Sequence, residues 1–580
     1  MLSLVKVMCG IIGIIGDDSF SLCLQGLQQL QNRGYDSAGI ASTLPYVCSK
    51  YASTNEQLAL EQLQHEASRH VYATLSVGHT RWATHGEKSS VNAHPHTSFS
   101  GRFTLVHNGI VQNYLALKTF LCAQGYVFAS ETDTEIIVNL IDYYSTKYNT
   151  IDSISECTKQ LEGSWAFICI DLETPSQFYC ARRECPLLFA STGNLTMIAS
   201  EYSGFSGHMN HYHILEEEKV YAFDRHSMLT TERIIHIEQE LFQTTPDPYP
   251  YWTLKEIYEQ PASCQRTIEQ SLDECPMIMS KHLILLGCGT SYYSGLFGTH
   301  LFKELGDLST VQCFDGSEFT ERDIPEEGTC CIFLSQSGET KDLYRCIPIC
   351  RTKQCYSIGV INVEYSLIAR EVDYCFYVKA GREVAVASTK SYLAQVIALY
   401  KLAYHFAKRD LPSDIYRLPK DIHDTILHTE DMIEDMCEVF LPHSSCFIIG
   451  KGKCESVARE GSLKVKEISY LHAEGTSSSS LKHGPFSLLT DTFPVILCCP
   501  NDEFLAINQS IIEELKSRKA SVWTITNANL GGRTVHIPHN ITFQHVLCII
   551  PIQLLSYHLA LRKGFNPDFP RNLAKVVTVE

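Results

Sequence analysis

Basic residues are in short supply in this chain: 47 lysines and arginines stand against 65 aspartates and glutamates, a formal net charge of −18. Phosphate backbones need a strong basic face, so nucleic acid is excluded as the main partner, although a local basic pocket is not. The 24 cysteines contain no CxxC pair, which removes the spacing of a zinc ribbon or a dithiol redox motif. The nearest metal-like spacing is Cys346, Cys350 and Cys355, on a stretch that reads as helix then strand. No metal and no cofactor are expected. Cysteines scattered through apolar runs such as "CCIFL" and "VILCC" read instead as free, buried thiols of a reducing cytoplasm. Nor is a secretory leader expected. A secretory signal needs an apolar stretch of roughly 7–15 residues before its cleavage site, whereas only seven residues precede Met8 and Lys6 interrupts them. Lys6 and Met8 likewise spoil a lipoprotein reading of Cys9. The longest apolar stretch elsewhere, "VLCIIPIQLLSYHLALRKG", carries Pro551, Gln553 and His558, and reads as a buried helix rather than a membrane span. The expected location is cytoplasmic, with no membrane partner.

At 580 residues, with 44% hydrophobic and 19% charged residues, the chain has the composition of a globular protein of roughly three to four domains. Up to about residue 240, short β-type runs ("GIIGIIG", "FTLVHNGI", "SWAFICIDL") alternate with helical ones ("SFSLCLQGLQQLQN", "TDTEIIVNLIDYYSTKY"). The three prolines of "QTTPDPYPYW" mark a linker. Beyond it the chain repeats itself. "HLILLGCGTS" answers to "CFIIGKGKCE", with Gly287 matching Gly450; "CIFLSQSGE" answers to "VILCCPNDE", "YSIGVINVE" to "SVWTITNAN", and "LAYHFAKR" to "LSYHLALR". Each copy alternates strand and helix, which predicts a parallel sheet covered on both faces, with ligands at the glycine turns beyond the strands' carboxyl ends.

Those turns differ between copies. Copy one has Gly289, Thr290 and Ser291 after one strand and "SQSGET", Ser335 to Thr340, after another. Hydroxyls and backbone amides at a helix start can hold a phosphate without any basic residue, and they can equally be ordinary caps and turns. Copy two has "PNDE" at the second turn, where an acid would repel phosphate, so one phosphate site is expected, in copy one. Copy two gathers ionisable groups instead. Glu460, Lys464 and Glu467 fall on one helical face at spacings of four and three, a pattern that by itself reads first as a solvated ion-pair row. Lys482 and His483 follow in a loop bounded by glycine and proline, suited to an exposed acid or base.

Together the stretches "CGIIG", "NRGYDSAG", "GHTRWATHG", "VNAHPH", "HNGI", "SETDTE", "CGTS", "SQSGET", "VASTK", "KEISYLHAE", "LKHGP" and "PRNLAKVVTVE" resemble the glutamine–fructose-6-phosphate aminotransferase (isomerising) family, over nearly the whole chain from Cys9. The N-terminal set would fit any class II glutamine amidotransferase; its combination with two sugar-isomerase (SIS) domains and that tail is specific. The resemblance implies an α/β protein, an N-terminal Ntn-hydrolase αββα sandwich over 9–224, a linker over 225–265, two doubly wound parallel-sheet SIS domains over 273–412 and 437–570, and a tail over 571–580. It implies glutamine and fructose 6-phosphate as substrates, glucosamine 6-phosphate and glutamate as products, and a homodimer. Two rivals remain open here: another class II amidotransferase, which would need a pyrophosphate loop, and a SIS-domain sugar-phosphate sensor, which would need neither Glu467, His483 nor Lys575.

For the glutaminase half, the resemblance makes Cys9 the nucleophile, working with its own α-amine, so that the working chain is expected to begin at Cys9, by a start at Met8 or by processing. Asn108 and the Gly109 amide would form the oxyanion hole. Arg81 would hold the glutamine carboxylate and Asp133 its ammonium, with Trp82, Thr84, His85, Arg33 and His94 lining or ordering the pocket. For the synthase half it puts Ser291, Ser335, Gln336, Ser337 and Thr340 on the sugar phosphate, with Val386, Ala387 and Ser388 beside them. His483, from the partner subunit, would open the ring, Lys575 would meet the open-chain ketone, and Glu467 would move the proton between C1 and C2, supported by Glu460 and Lys464. An attacking lysine must be neutral, so a depressed pKa for Lys575, from burial or from a neighbouring cation such as Lys464, is expected. "EGTSSSSLKHG" departs from the family pattern, which has bulkier or acidic residues before the lysine.

Overall fold

A computed structural model describes residues 9–31, 34–54, 57–82, 86–229, 234–236, 243, 245–277, 280–325 and 328–575. They form two compact units, the first running to Thr245 and the second from Pro246 to Lys575.

In the first unit the short β runs build two antiparallel sheets, of eight and five strands among the described residues. Cys9–Ile15 lies inside the larger sheet, between Thr196–Ala199 and Leu75–Arg81. Its side chains alternate, as period two requires. Ile12 and Ile14 pack with Phe20, Leu24, Leu27 and Leu30 of helix Ser19–Leu30, while Ile11 and Ile15 meet Val106, Ile168 and Phe178 of the smaller sheet. Phe103 and Leu105 point to the other side, onto Ile137, Leu140 and Ile141 of helix Thr134–Ser145. Helix, sheet, sheet and helix therefore stack in that order, the αββα arrangement.

The second unit holds the two copies, each a five-stranded parallel sheet. The order is Thr310–Asp315, His282–Gly287, Thr329–Ser335, Tyr356–Ile361, Tyr374–Tyr377 in one, and His472–Ser477, Ser445–Gly450, Pro494–Cys498, Ser521–Thr526, Arg533–His536 in the other. In both the chain leaves the second strand of that order first to one side and then to the other, so the crevice beside His282–Gly287 and Thr329–Ser335 is the switch point where such sheets bind ligands. One hydrophobic core, with Leu285, Ile332, Leu399, Ile448 and Ile552, runs through both copies. Helix Gln544–Arg562 is long and apolar enough to cross a membrane, yet 89% of its apolar window is buried inside the unit, the core helix that its Pro551, Gln553 and His558 suggested.

The stretch 225–265, expected as linker, is partly a packed element. Trp252–Tyr258 and Gln260–Glu269 are helices, and Ile257, Cys264 and Ile268 belong to the core of the second unit. After Pro250 the next proline, Pro261, stands in the first turn of the second helix, where its missing N–H costs nothing, and the apolar residues recur at helical spacing.

Candidate active sites

In the first unit Cys9 opens its strand directly opposite Arg81 and is 3% exposed. Its Sγ accepts the Trp82 N–H at 3.4 Å. Burial pushes the thiol up to about 12, although the Trp82 N–H and the charge of Arg81 pull it down. It is therefore a thiol at neutral pH and needs a base to react. Asn108 donates from Nδ2 to the Cys9 carbonyl at 2.7 Å. Gly109, next along the strand, has φ 118°, and a Cβ there would lie 2.1 Å from the Ser164 carbonyl oxygen, so only glycine lets the chain turn its amide at this point. Asp133 precedes helix Thr134–Ser145 and accepts the Val111 N–H at 2.9 Å. Trp82 meets Tyr35 edge to face at 5.6 Å. Cys9, Arg81, Trp82, Asn108, Gly109 and Asp133 thus share one end of the two sheets; Arg33, Thr84 and His85 lie outside the described residues.

Beneath them is a histidine cluster that sequence reasoning saw only in His94. That ring stacks on His79 at 4.0 Å, accepts the His107 N–H at Nδ1, and meets Thr134 Oγ1 from Nε2 at 3.2 Å. His79 Nε2 donates to the His107 carbonyl at 2.9 Å. Burial holds His79 down at about 3 and His94 and His96 well below their ordinary range, so all three are neutral supports rather than acids.

In the second unit both hydroxyl turns of copy one lie at the switch point. Gly289, with φ 54° and ψ −125°, starts helix Thr290–Leu305. Ser291 Oγ is held by Gln395 Nε2 at 3.0 Å. Ser335 ends its strand, accepts the Gly338 N–H at 2.9 Å and lies 3.4 Å from Thr340 Oγ1; Ser337 Oγ accepts the Glu339 N–H, and Gln336 sits half-buried between them. The loop is wound so that its hydroxyls and amides converge.

The face Glu460, Lys464, Glu467 is not solvated. On helix Lys453–Ser469 the side chains of Glu460 and Lys464 are 0% and 1% exposed. Lys464 Nζ lies 2.6 Å from Glu467 and 3.5 Å from Glu460, and donates at 3.0 Å to Thr290 Oγ1, which in turn donates to Glu460 at 3.2 Å. Burial raises Glu460 to about 8, and Glu467 adds to this. For Lys464 burial acts downward, but Glu460 and Glu467 outweigh it and raise the ammonium. Ala387 packs on Ile468 of the same helix, which brings the Val386–Ala387–Ser388 loop alongside. Lys575 Nζ donates to Ser388 Oγ at 3.1 Å and to Glu383 Oε2 at 2.5 Å. Its side chain is 1% exposed, so the burial named as one alternative is present, while its direct neighbour is a carboxylate and not a cation such as Lys464. His483 is exposed at the end of the 3-10 turn Ser478–His483, and no described contact brings it to this cluster.

A glutamine amidotransferase domain model matches residues 79–206, and a SIS domain model matches 277–404 and 441–561. A probable glutamine–fructose-6-phosphate aminotransferase (isomerizing) of Acanthamoeba polyphaga mimivirus is 40% identical over 612 residues, 99% of this chain and 100% of that protein. Its namesake from Clostridium perfringens is 34% identical over the same shares. The chain belongs to the glutamine–fructose-6-phosphate aminotransferase (isomerizing) family. Among solved structures, the C-terminal domain of glucosamine-fructose-6-phosphate aminotransferase from Francisella tularensis is similar to it, at 30% identity and a TM-score of 0.50 over 56% of this chain and 100% of that one. A putative phosphosugar isomerase from Clostridium difficile 630, 20% identical with a TM-score of 0.50 over 55% of this chain and 95% of its own, shares the fold.

Within this aminotransferase family member, the residues that sequence reasoning missed are Gln395, which orients Ser291, and Glu383, which meets Lys575; Thr290 was read as a turn hydroxyl, and its link from copy one to Glu460 and Lys464 of copy two was not. A threonine in a glycine turn and a glutamate before "VASTK" carry no spacing signal, since each finds its partner across more than a hundred residues of chain.

Proposed function

We propose that this chain converts fructose 6-phosphate and glutamine into glucosamine 6-phosphate and glutamate, as a cytoplasmic homodimer, with domains over 9–224, 273–412 and 437–570 and the tail over 571–580. The carrying observation is the hydrogen-bonded set Thr290, Glu460, Lys464 and Glu467, with Glu460 and Lys464 buried, beside the hydroxyl turns: a sugar-phosphate sensor needs the turns and not the acid–base groups.

In the glutaminase reaction Cys9 attacks the glutamine amide, ammonia leaves, and water hydrolyses the thioester. A thiol held near 12 supports the need for a base, and a free α-amine, with a pKa of roughly 7.7–8.0, fits that role as an interior amide does not. Asn108 Nδ2 keeps a second N–H besides the one on the Cys9 carbonyl; with the Gly109 amide it would meet the oxyanion as charge develops. Arg81 matches a carboxylate by its planar fork and Asp133 an ammonium, with Trp82, Thr84, His85, Arg33 and His94 lining or ordering the pocket. In the isomerising half Ser291, Ser335, Gln336, Ser337 and Thr340 hold the phosphate, with Val386, Ala387 and Ser388 beside it. Lys575 meets the ketone, and Glu467, partly exposed and hydrogen-bonded by Lys464, moves the proton between C1 and C2. The exposure of His483 is consistent with its serving the partner subunit's site as ring opener.

Purified protein given glutamine and fructose 6-phosphate should yield glucosamine 6-phosphate and glutamate one to one, and intact-mass analysis of the active species should find Cys9 at the N-terminus. Cys9→Ala should abolish glutamine hydrolysis and leave fructose 6-phosphate binding in place. Glutamate without amino sugar in the full mixture would overturn the reading.

A further inference from the structure

Glu383 lies between strand Tyr374–Tyr377 and helix Lys390–Phe406, and its side chain is fully buried. Among the described residues both of its oxygens accept two hydrogen bonds. Oε1 takes the N–H groups of Thr389 at 2.9 Å and Ser391 at 3.1 Å. Oε2 takes Ser391 Oγ at 2.7 Å and Lys575 Nζ at 2.5 Å. Three of the four bonds come from the start of a 17-residue helix, whose free amides and dipole favour an anion. Burial alone would drive this carboxyl up; the charge of Lys575 and the bonds from Ser391 and Thr389 outweigh it and hold Glu383 at about 2. The carboxylate is thus aimed by its own helix start. Lys575, by contrast, ends the described stretch 563–575, which holds no strand or helix, and among the described residues its Nζ meets Glu383 and Ser388.

We propose that Glu383 is the positioning residue for Lys575, fixing its Nζ beside the Val386–Ser388 loop and supplying the counter-charge for a site that is cationic both at rest and in reaction. The inference rests on the reading of Lys575 as the lysine that meets the ketose. Overall, an ammonium and a ketone give an iminium and water. The C=N bond forms, the C=O bond breaks, and two N–H protons leave with the carbonyl oxygen; the charge is +1 before and after. A single buried carboxylate therefore matches both states and need not move.

Full-length Glu383→Gln, Glu383→Asp and Lys575→Arg variants test this. Borohydride reduction with fructose 6-phosphate should trap a hexitol phosphate on Lys575 of the parent protein. A neutral glutamine keeps hydrogen bonds but not the charge, and leaving one partner of a buried pair uncompensated should lower kcat by about a hundredfold. The adduct should fall in parallel, with the KM for fructose 6-phosphate within about threefold because the phosphate turns carry the binding. Glu383→Asp should recover part of both. Titration of ε-13C-labelled lysine, with the Lys575 signal assigned by its absence from Lys575→Arg, should shift toward acid by at least about one pH unit in Glu383→Gln. An unmoved Lys575 titration in Glu383→Gln overturns the inference, and so does loss of sugar-phosphate binding in both Glu383 variants, which marks a structural role only. If instead the parent protein yields no adduct and Lys575→Arg keeps turnover, it is the reading of Lys575 that fails, while the titration still reports on Glu383.

Discussion

Ser335 performs two tasks with one hydroxyl. Its Oγ accepts the Gly338 amide and faces Thr340 Oγ1, so it both shapes the turn and points into it. A neutral donor to a charged group is worth about 1.5–3 kcal/mol, so Ser335→Ala should weaken fructose 6-phosphate at least tenfold by calorimetry, and more than Thr340→Ala, because the Gly338 N–H also loses its acceptor. Glutamine affinity should not change. These hydroxyls were legible because serine, threonine and glycine cluster locally. Glu460 and Lys464 were legible as a helical face but not as a buried one. Spacing says which side chains share a face; that the face is covered, and that Thr290 of the other copy hydrogen-bonds both groups, depends on the packing of distant helices.

The strand Phe103–Val111 carries Asn108 and Gly109 between Gly163–Asp171 on one side and the short strand His96–Thr97 on the other. Its apolar alternation was readable; the positive φ of Gly109 was not, since nothing in "HNGI" distinguishes that glycine from a turn glycine. Gly109→Ala would drive a Cβ into the Ser164 carbonyl and force the strands apart where the Asn108 amide is aimed. Glutamine hydrolysis should fall by more than about a hundredfold, the cost of misplacing an oxyanion donor, with fructose 6-phosphate binding retained; a variant with normal hydrolysis would show that this strand end has no part in the chemistry. Helices Trp252–Tyr258 and Gln260–Glu269 teach the complementary lesson. The prolines before them advertise a linker, yet Ile257 and Cys264 are fully buried, because a helix is committed by what its apolar face finds.

The two units should answer acid in opposite ways. In the first, burial holds His70 at about 4 and His79 at about 3, below their ordinary 6.5, with His94 and His96 lower still than ordinary. As pH falls below 6.5 the unfolded chain takes up protons that the fold refuses. Stability is therefore complete above that pH and is lost toward pH 3, at up to ~1.4 kcal/mol per pH unit for each ring. In the second unit burial raises Glu256 and Glu460 from 4.5 to about 8. Here the fold keeps protons that the unfolded chain releases, so this contribution is complete below pH 4.5 and is lost as pH rises to 8. Scanning calorimetry should resolve two transitions, and from pH 8 to pH 5.5 the one stabilised by glutamine analogues should move down while the one stabilised by sugar phosphate moves up. Parallel movement of both would show that these groups do not govern the balance.

From the sequence alone came the elements and their grouping: short strands interleaved with helices, a duplicated strand–helix pattern, hydroxyl turns after the strands, and through its motifs the family and with it the αββα sandwich. Those features are local, set by periodicity of two or 3.6 and by glycine and serine at turns. Tertiary structure decided which polar groups lose water and whom they then meet. Glu460 becomes a buried acid, His79, His94 and His96 a neutral support, and Lys575 the partner of Glu383 across 192 residues of chain. Desolvation and long-range pairing depend on packing between segments that no local pattern joins, and that is why they appear only once the chain has folded.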